Sequence, residues 1–406
     1  MEKIGVIGGG PAGIIAAGYA GARGKKVVLI EQNNKLGKKL YITGKGRCNI
    51  TNASPIDIFF DNIVTNKSFL YSSLYSFTNE DIVKLLKSYG LEIKVERGNR
   101  VFPVSDKSSD VIKALEKFLY NNNVNLMLNK KVFDIKHKDN KFIVYFSKND
   151  YIEFDKIIIA TGGISYPATG STGDGYKFAQ NLGHCIQELK PSLVPLEIEE
   201  EWVKDLQGLS LKNVKLTTYV DKKDIHEEFG EMLFTHYGIS GPIVLSTSNY
   251  INKYDEKNIK FHLDLKPALS REKLDSRILR DFELYKNKQI KNGLNELLPQ
   301  RIIPIIIKES NVDEKKFIHQ ITKSERNRII DNIKALSLTF KQFRPIQEAI
   351  VTSGGISVKE IDSSTMESKL VPGLFFAGEI IDVDALTGGY NLQIAYSTGY
   401  LAGNSI

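Results

Sequence analysis

Two short apolar runs, Lys3–Ile7 (KIGVI) and Lys26–Ile30 (KVVLI), flank an Ala- and Gly-rich stretch, residues 11–23 (PAGIIAAGYAGAR). Strands apolar at nearly every position are buried on both faces, as in a parallel sheet. A strand, a tight turn, a helix and a second strand make one βαβ unit. Residues 79–89 place Ile82, Val83, Leu85, Leu86 and Tyr89 on one helical face, and 107–121 repeat that with Val111, Ile112, Leu115, Phe118 and Leu119. Residues 124–128 predict a further parallel strand. The period then shortens: 132–137, 142–146 and 151–154 read as three strands joined by polar turns, a β-meander. It runs into KIIIA (156–160), the pair Gly162-Gly163, and a helix over 174–182. Residues 191–265 read as mostly strands and 271–335 as charged helices. A strand at 373–377 (GLFFA) and a helix at 389–401 return to the first pattern.

The expected fold class is therefore α/β. A two-part Rossmann-like nucleotide-binding domain with a β-meander would comprise 1–190 and 341–406. Between its parts would lie a mostly-β stretch (191–268) followed by a mostly helical one (269–340). A chain of 406 residues has room for two or three domains.

The formal charge of +7 is spread over scattered lysines such as Lys25, Lys26, Lys38 and Lys39. It describes a solvated surface that also attracts an anionic dinucleotide. No concentrated basic tail with interleaved aromatics is visible, so no nucleic-acid partner is expected. The basic helices between Arg271 and Lys334 read as solvated faces. Cys48 and Cys185 are too far apart for a redox pair, and with His184 they fall short of a metal-ligand set, so no metal is expected. The longest apolar run, 302–307, is interrupted by Pro304, so no membrane span is expected. The first strand starts almost at Met1, leaving no room for a signal peptide, and a cytoplasmic location is the expectation. Oligomeric state is left open.

Gly8, Gly10 and Gly13 spell G-x-G-x-x-G. The first glycine permits the turn, the second lets a pyrophosphate approach the backbone, and the third allows close helix–strand packing. Pro11 and Ala12 open the helix, whose free N–H groups favour anions. Glu31, followed by Gln32, closes the second strand at the distance suited to a carboxylate on the ribose hydroxyls. The turn does not separate NAD from FAD. Three later features favour FAD: the meander leading into Ala160-Thr161-Gly162-Gly163; the apolar strand ending Ala377-Gly378-Glu379, whose acid suits the ribityl chain; and Gly389-Tyr390-Asn391-Leu392-Gln393 at a helix start, where N–H groups suit the flavin edge that gains negative charge on reduction.

The stretches GGGPAG (8–13), GKKLYITGKGRCNITN (37–52), ATGGISYPATGSTGDGY (160–176), FTHYGISGP (234–242) and TMESKLVPGLFFAGEIIDVDALTGGYNLQIA (365–395) span nearly the whole chain. On them the sequence resembles the bacterial family of NAD(P)/FAD-dependent oxidoreductases that includes aminoacetone oxidase and bile-acid dehydro-reductase flavoproteins. The resemblance implies a two-part FAD domain with two inserts, a β-barrel-like domain and a small helical domain. It also implies FAD contacts near Ala12, Glu31, Lys39, Asn49, Thr161, Glu379 and Asn391 to Gln393, and one through the backbone of Val132. Ala385 stands where the family usually has glycine.

A flavin carries the redox chemistry, and the protein supplies orientation, electrostatics and a proton donor. His236 is a candidate acid or base, or equally a histidine that holds its loop. Tyr166 and Thr169 are candidates for shaping a substrate pocket, in a segment that turn chemistry also explains. Cys48 is the third candidate, better suited to packing than to nucleophilic attack. Lys39 and Arg47 suit phosphate or flavin oxygens. The expected function is an FAD-dependent oxidoreductase acting on a small organic substrate, with NAD(P)H docking transiently as hydride donor. A flavin amine oxidase using oxygen is the alternative, and an RNA-modifying flavoprotein ranks below it.

Overall fold

Five strands pair in parallel in the order Leu374–Phe376, Lys156–Ile159, Lys3–Ile7, Lys26–Ile30 and Asn125–Met127 in the computed structural model, which describes residues 1–406. The uninterrupted apolar runs are explained by their position. Ile4, Val6, Leu29, Ile157 and Phe376 are all fully buried. Helix Pro11–Ala22 covers part of the sheet and meets the last helix, Tyr390–Ser405, almost backbone to backbone. A Cβ on Gly399 would lie 2.4 Å from the Ala12 carbonyl oxygen, and one on Gly403 would lie 2.2 Å from that of Ala16. The meander Asp134–Lys138, Lys141–Tyr145, Tyr151–Phe154 is antiparallel and seats Phe154 over Gly5. The sheet thus draws strands from both ends of the chain.

The chain divides into two compact units, Met1–Ser192 with Ile346–Ile406, and Leu193–Pro345. In the second, six strands close an antiparallel barrel in the order Leu196–Ile198, Gly238–Ser240, Lys223–Phe234, Ser210–Val220, Ile259–Asp264 and Leu336–Phe343. Helices Arg271–Leu284, Ile303–Glu309 and Lys323–Lys334 share one core with the barrel, so that Phe261, Leu274, Ile306, Ile330 and Leu338 belong to a single apolar cluster. The final barrel strand straddles residue 340, where the sequence suggested the helical insert ends.

A helix, Pro242–Ile251, interrupts the segment read as mostly strands. Its β-branched residues (Ile243, Val244, Thr247) imitate a strand, but Gly241-Pro242 makes a helix start: proline at the first helical position loses no hydrogen bond there. No helix is long and apolar enough to cross a membrane.

Candidate functional site

The turn between the first strand and helix sets the site. Gly8 adopts φ +108°, and a Cβ on it would fall 2.4 Å from the Ala160 carbonyl oxygen. A Cβ on Gly13 would fall 1.9 Å from the Gly8 carbonyl oxygen, so these two glycines are required by packing. Gly10 differs: nothing lies within 4 Å of its missing side chain, which leaves the backbone open to a ligand. Gly10 also caps the helix without a side-chain hydrogen bond, and Pro11 follows. The first-turn N–H groups there form an anion site.

Glu31 holds this turn as well as facing it. Its Oε2 accepts from the Gly9 backbone N–H at 2.7 Å, and its Oε1 accepts from the Asn33 N–H at 2.8 Å and from Asn33 Nδ2 at 2.7 Å. A carboxylate has about four acceptor positions, so one remains for a ribose hydroxyl. Gln32 Nε2 donates to the Gly170 carbonyl at 2.7 Å, and Asn33 Nδ2 to that of Thr169 at 3.0 Å. The end of the second strand thereby positions the 167–171 loop.

A cleft opens beside this turn, with about 1320 Å³ of empty space, its open side included. A volume of ~300–1000 Å³ suffices for most small-molecule and cofactor sites. Gly8, Gly10, Pro11, Ala12, Glu31, Gln32, Lys39, Val132, Thr161, Gly162, Thr169, Gly378, Glu379, Asn391 and Leu392 all line it. Thr161 Oγ1 is buried with no hydrogen-bond partner in the protein. An open glycine at a helix start, an acid with a spare acceptor position and an unpartnered hydroxyl fit an extended dinucleotide.

Inside the cleft Glu379 is tightly held. Lys39 Nζ donates to its Oε2 at 2.7 Å, while its Oε1 accepts from the Thr352 N–H at 2.9 Å and from Ser165 Oγ at 3.1 Å. Lys39 also donates to Ser165 Oγ at 2.6 Å. Burial, then the charges of Glu379 and Asp382, push the Tyr176 phenol well above its usual value, so it stays protonated. Asn391 accepts from the Ala385 N–H at 2.9 Å and donates to the Ala385 carbonyl at 2.7 Å, clamping that loop to the last helix. Ala385 is buried, and its φ is not positive, so alanine fits where glycine was expected.

Other expected residues are placed elsewhere. Arg47 pairs with Asp106 and Glu96 and lies 4.2 Å over the Phe102 ring, away from the cleft lining. Gln393 is fully buried: its Oε1 accepts from Thr51 Oγ1 at 2.8 Å, and its Nε2 donates to the Phe77 carbonyl at 3.0 Å. Gly389 packs against Thr51, where an added Cβ would meet its carbonyl carbon at 2.5 Å. Gly13 serves packing, as described. Asn49 lies outside the lining, and its Oδ1 is buried without a partner. Cys48 is fully buried, and its burial pushes the thiol up to about 12, which removes the thiolate a nucleophile needs. Tyr166 also lies outside the cleft lining, in a left-handed conformation (φ +51°) at the head of its loop. His236 is exposed in the hairpin between Lys223–Phe234 and Gly238–Ser240, its ring 4.7 Å from that of Tyr237. It belongs to the barrel unit, whereas every residue lining the cleft belongs to the other.

Gly9, Asn33, Ser165 and Thr352 were missed. For Asn33 a signal existed, since Asn two residues past a strand-end acid can cap it locally. Thr352 donates to Glu379 from the strand Val351–Ile356, a partnership no local pattern announces.

Fold and cleft together define a dinucleotide-binding protein of the Rossmann class. The family described as the HI0933-like protein Rossmann domain matches residues 2–405, and the chain belongs to it. The chain is similar to the 3-dehydro-bile acid delta(4,6)-reductase of Clostridium scindens, at 30% identity over 100% of this chain and 99% of that one. It is similar to the ribosomal RNA dihydrouridine synthase of Haemophilus influenzae, at 30% identity over 99% and 97%. The solved 3-ketosteroid-delta4-(5alpha)-dehydrogenase from Rhodococcus jostii shares the fold, with a TM-score of 0.51 and 14% identity over 100% of this chain and 96% of that one. The chain is an enzyme of the FAD-dependent oxidoreductase class.

Proposed function

We propose that this enzyme holds FAD in the cleft and reduces a carbon–carbon double bond conjugated to a carbonyl, with NAD(P)H as the hydride donor. The cleft carries the cofactor part of the reading. It joins the Gly8–Gly13 turn and Glu31, suited to the pyrophosphate and the ribose, to Lys39, Glu379 and the start of the last helix. Bound there, FAD supplies hydride transfer, which no side chain performs. The residues do the rest. Glu31 takes a ribose hydroxyl at its free acceptor position. Glu379 presents a charge fixed by Lys39, Ser165 and Thr352. The first turn of Tyr390–Ser405 offers its N–H groups and positive dipole end to the ring edge that gains negative charge.

The relatives support the substrate class. One is named for reducing steroid double bonds at positions 4 and 6, the other for making dihydrouridine, which is uridine with its ring double bond reduced. In a 3-oxo steroid and in uracil alike that bond is conjugated to a carbonyl, which lets it accept hydride.

Anaerobic mixing tests the proposal. NADH or NADPH should bleach the flavin absorbance, and a steroid 4-en-3-one or 4,6-dien-3-one should restore it. Bleaching by a primary amine, with none by either nicotinamide, would replace this reading with the amine oxidase.

A further inference from the structure

We infer that the barrel unit carries a binding face for unpaired RNA, built where residues 285–291 and 315–319 meet. The two segments are YKNKQIK and KKFIH, with 23 residues between them. The fold pairs them antiparallel through an isolated bridge between Gln289 and Phe317. The Ile290 N–H donates to the Lys316 carbonyl at 2.9 Å, and the Ile318 N–H to that of Lys288 at 3.0 Å. His319 is tied down by its Nδ1, 2.9 Å from the Lys286 carbonyl.

The pairing sorts the side chains. Ile290 and Ile318 turn into the core. Phe317, 43% exposed, turns outward, and the His319 ring stacks beside it at 5.8 Å with 25° between planes. Two aromatic rings fixed nearly parallel at the surface form a platform on which unpaired bases stack, whatever their sequence. The two segments that carry the rings are also rich in lysine. Lys286 is neutralised by Glu283 and Lys316 by Glu325. Lys288, Lys291 and Lys315 have no carboxylate partner, and Lys288 is steadied 4.7 Å over the Tyr285 ring. Three unpaired cations on the same bridged segments as two open rings are complementary to a phosphate backbone carrying exposed bases. A protein or peptide partner would call for apolar area, and a duplex would bury the bases that the rings address. The interleaving of basic and aromatic residues absent from the linear sequence is thus made by the fold.

This face lies wholly within the barrel unit, and RNA binding is read without turnover, so its failure and that of the reductase reading are separate results. Fluorescence anisotropy of the full chain with a labelled 12-nucleotide oligouridylate, from 50 to 200 mM KCl, is the test. Binding should weaken with salt. K288E/K291E/K315E should weaken it at least 10-fold and lower the salt slope by about 2, since each single-strand phosphate contact contributes roughly 0.7. F317A should weaken binding about 10-fold at unchanged slope, and F317W should restore it. All four positions are exposed, and unchanged thermal midpoints certify folding. K117E/K136E/K138E, an equal charge change in the other unit, should leave binding intact. The inference is overturned if that control weakens binding as much, if F317A has no effect, if polyglutamate competes as well as RNA at equal charge, or if no binding is seen.

Discussion

Glu31 illustrates how one residue can hold both halves of a site. Its carboxylate fixes the Gly9 amide and Asn33 while retaining a position for a ribose hydroxyl. Glu31→Ala should therefore weaken FAD binding by at least 10-fold, because a charge-assisted hydrogen bond contributes about 1.5–3 kcal/mol and the turn loosens as well; equilibrium titration of the flavin-stripped protein measures it. Cys48 gives a second prediction. Its thiol is pushed up to about 12 by burial, while Cys185 is exposed. Native protein at pH 8 should react with one equivalent of a thiol reagent, and denatured protein with two. Two fast equivalents in the native state would refute the burial of Cys48. The sign of the pH effect follows: an unfolded thiol ionises near its ordinary value of 9.0 and the folded one does not, so this cysteine's contribution to stability is present below about pH 9 and lost as pH rises toward 12.

At the scale of elements, the packing of Pro11–Ala22 against Tyr390–Ser405 positions the Gly8–Gly13 turn relative to the start of the last helix. Gly399 and Gly403 make that approach close enough to exclude a side chain. Gly403→Val should destabilise the fold by about 3 kcal/mol or more, since even ordinary overpacking costs roughly 1–3 kcal/mol, seen as a lowered thermal midpoint with reduced flavin retention. An unchanged midpoint would contradict the packing. This contact also marks the limit of what the sequence conveys. The G-x-G-x-x-G turn, the meander and the GLFFA strand were legible because each rests on local periodicity or a glycine with one steric purpose. Gly399 lies unmarked within the predicted helix and Gly403 beyond its predicted end, because their purpose is another helix's backbone, more than 380 residues away. Arg47 and Gln393 lay in matching motifs, yet the side chains are taken up by Glu96 and Asp106, and by Thr51, Phe77 and Ser397. A motif locates a backbone, whereas the partners of a long side chain are set by neighbours distant in sequence. The same reasoning explains the face around Phe317, whose lysines are dispersed in the chain and gathered by a β-bridge.

For the whole molecule, two chain ends build one nucleotide cleft, and an inserted barrel with its own core leaves that sheet uninterrupted. The central claim is that the cleft holds FAD. It is tested by heat-denaturing the purified yellow protein and identifying the released chromophore chromatographically against FAD and FMN. The account predicts FAD, close to one equivalent per chain. Release of FMN, or a colourless protein that does not take up added FAD, would contradict it.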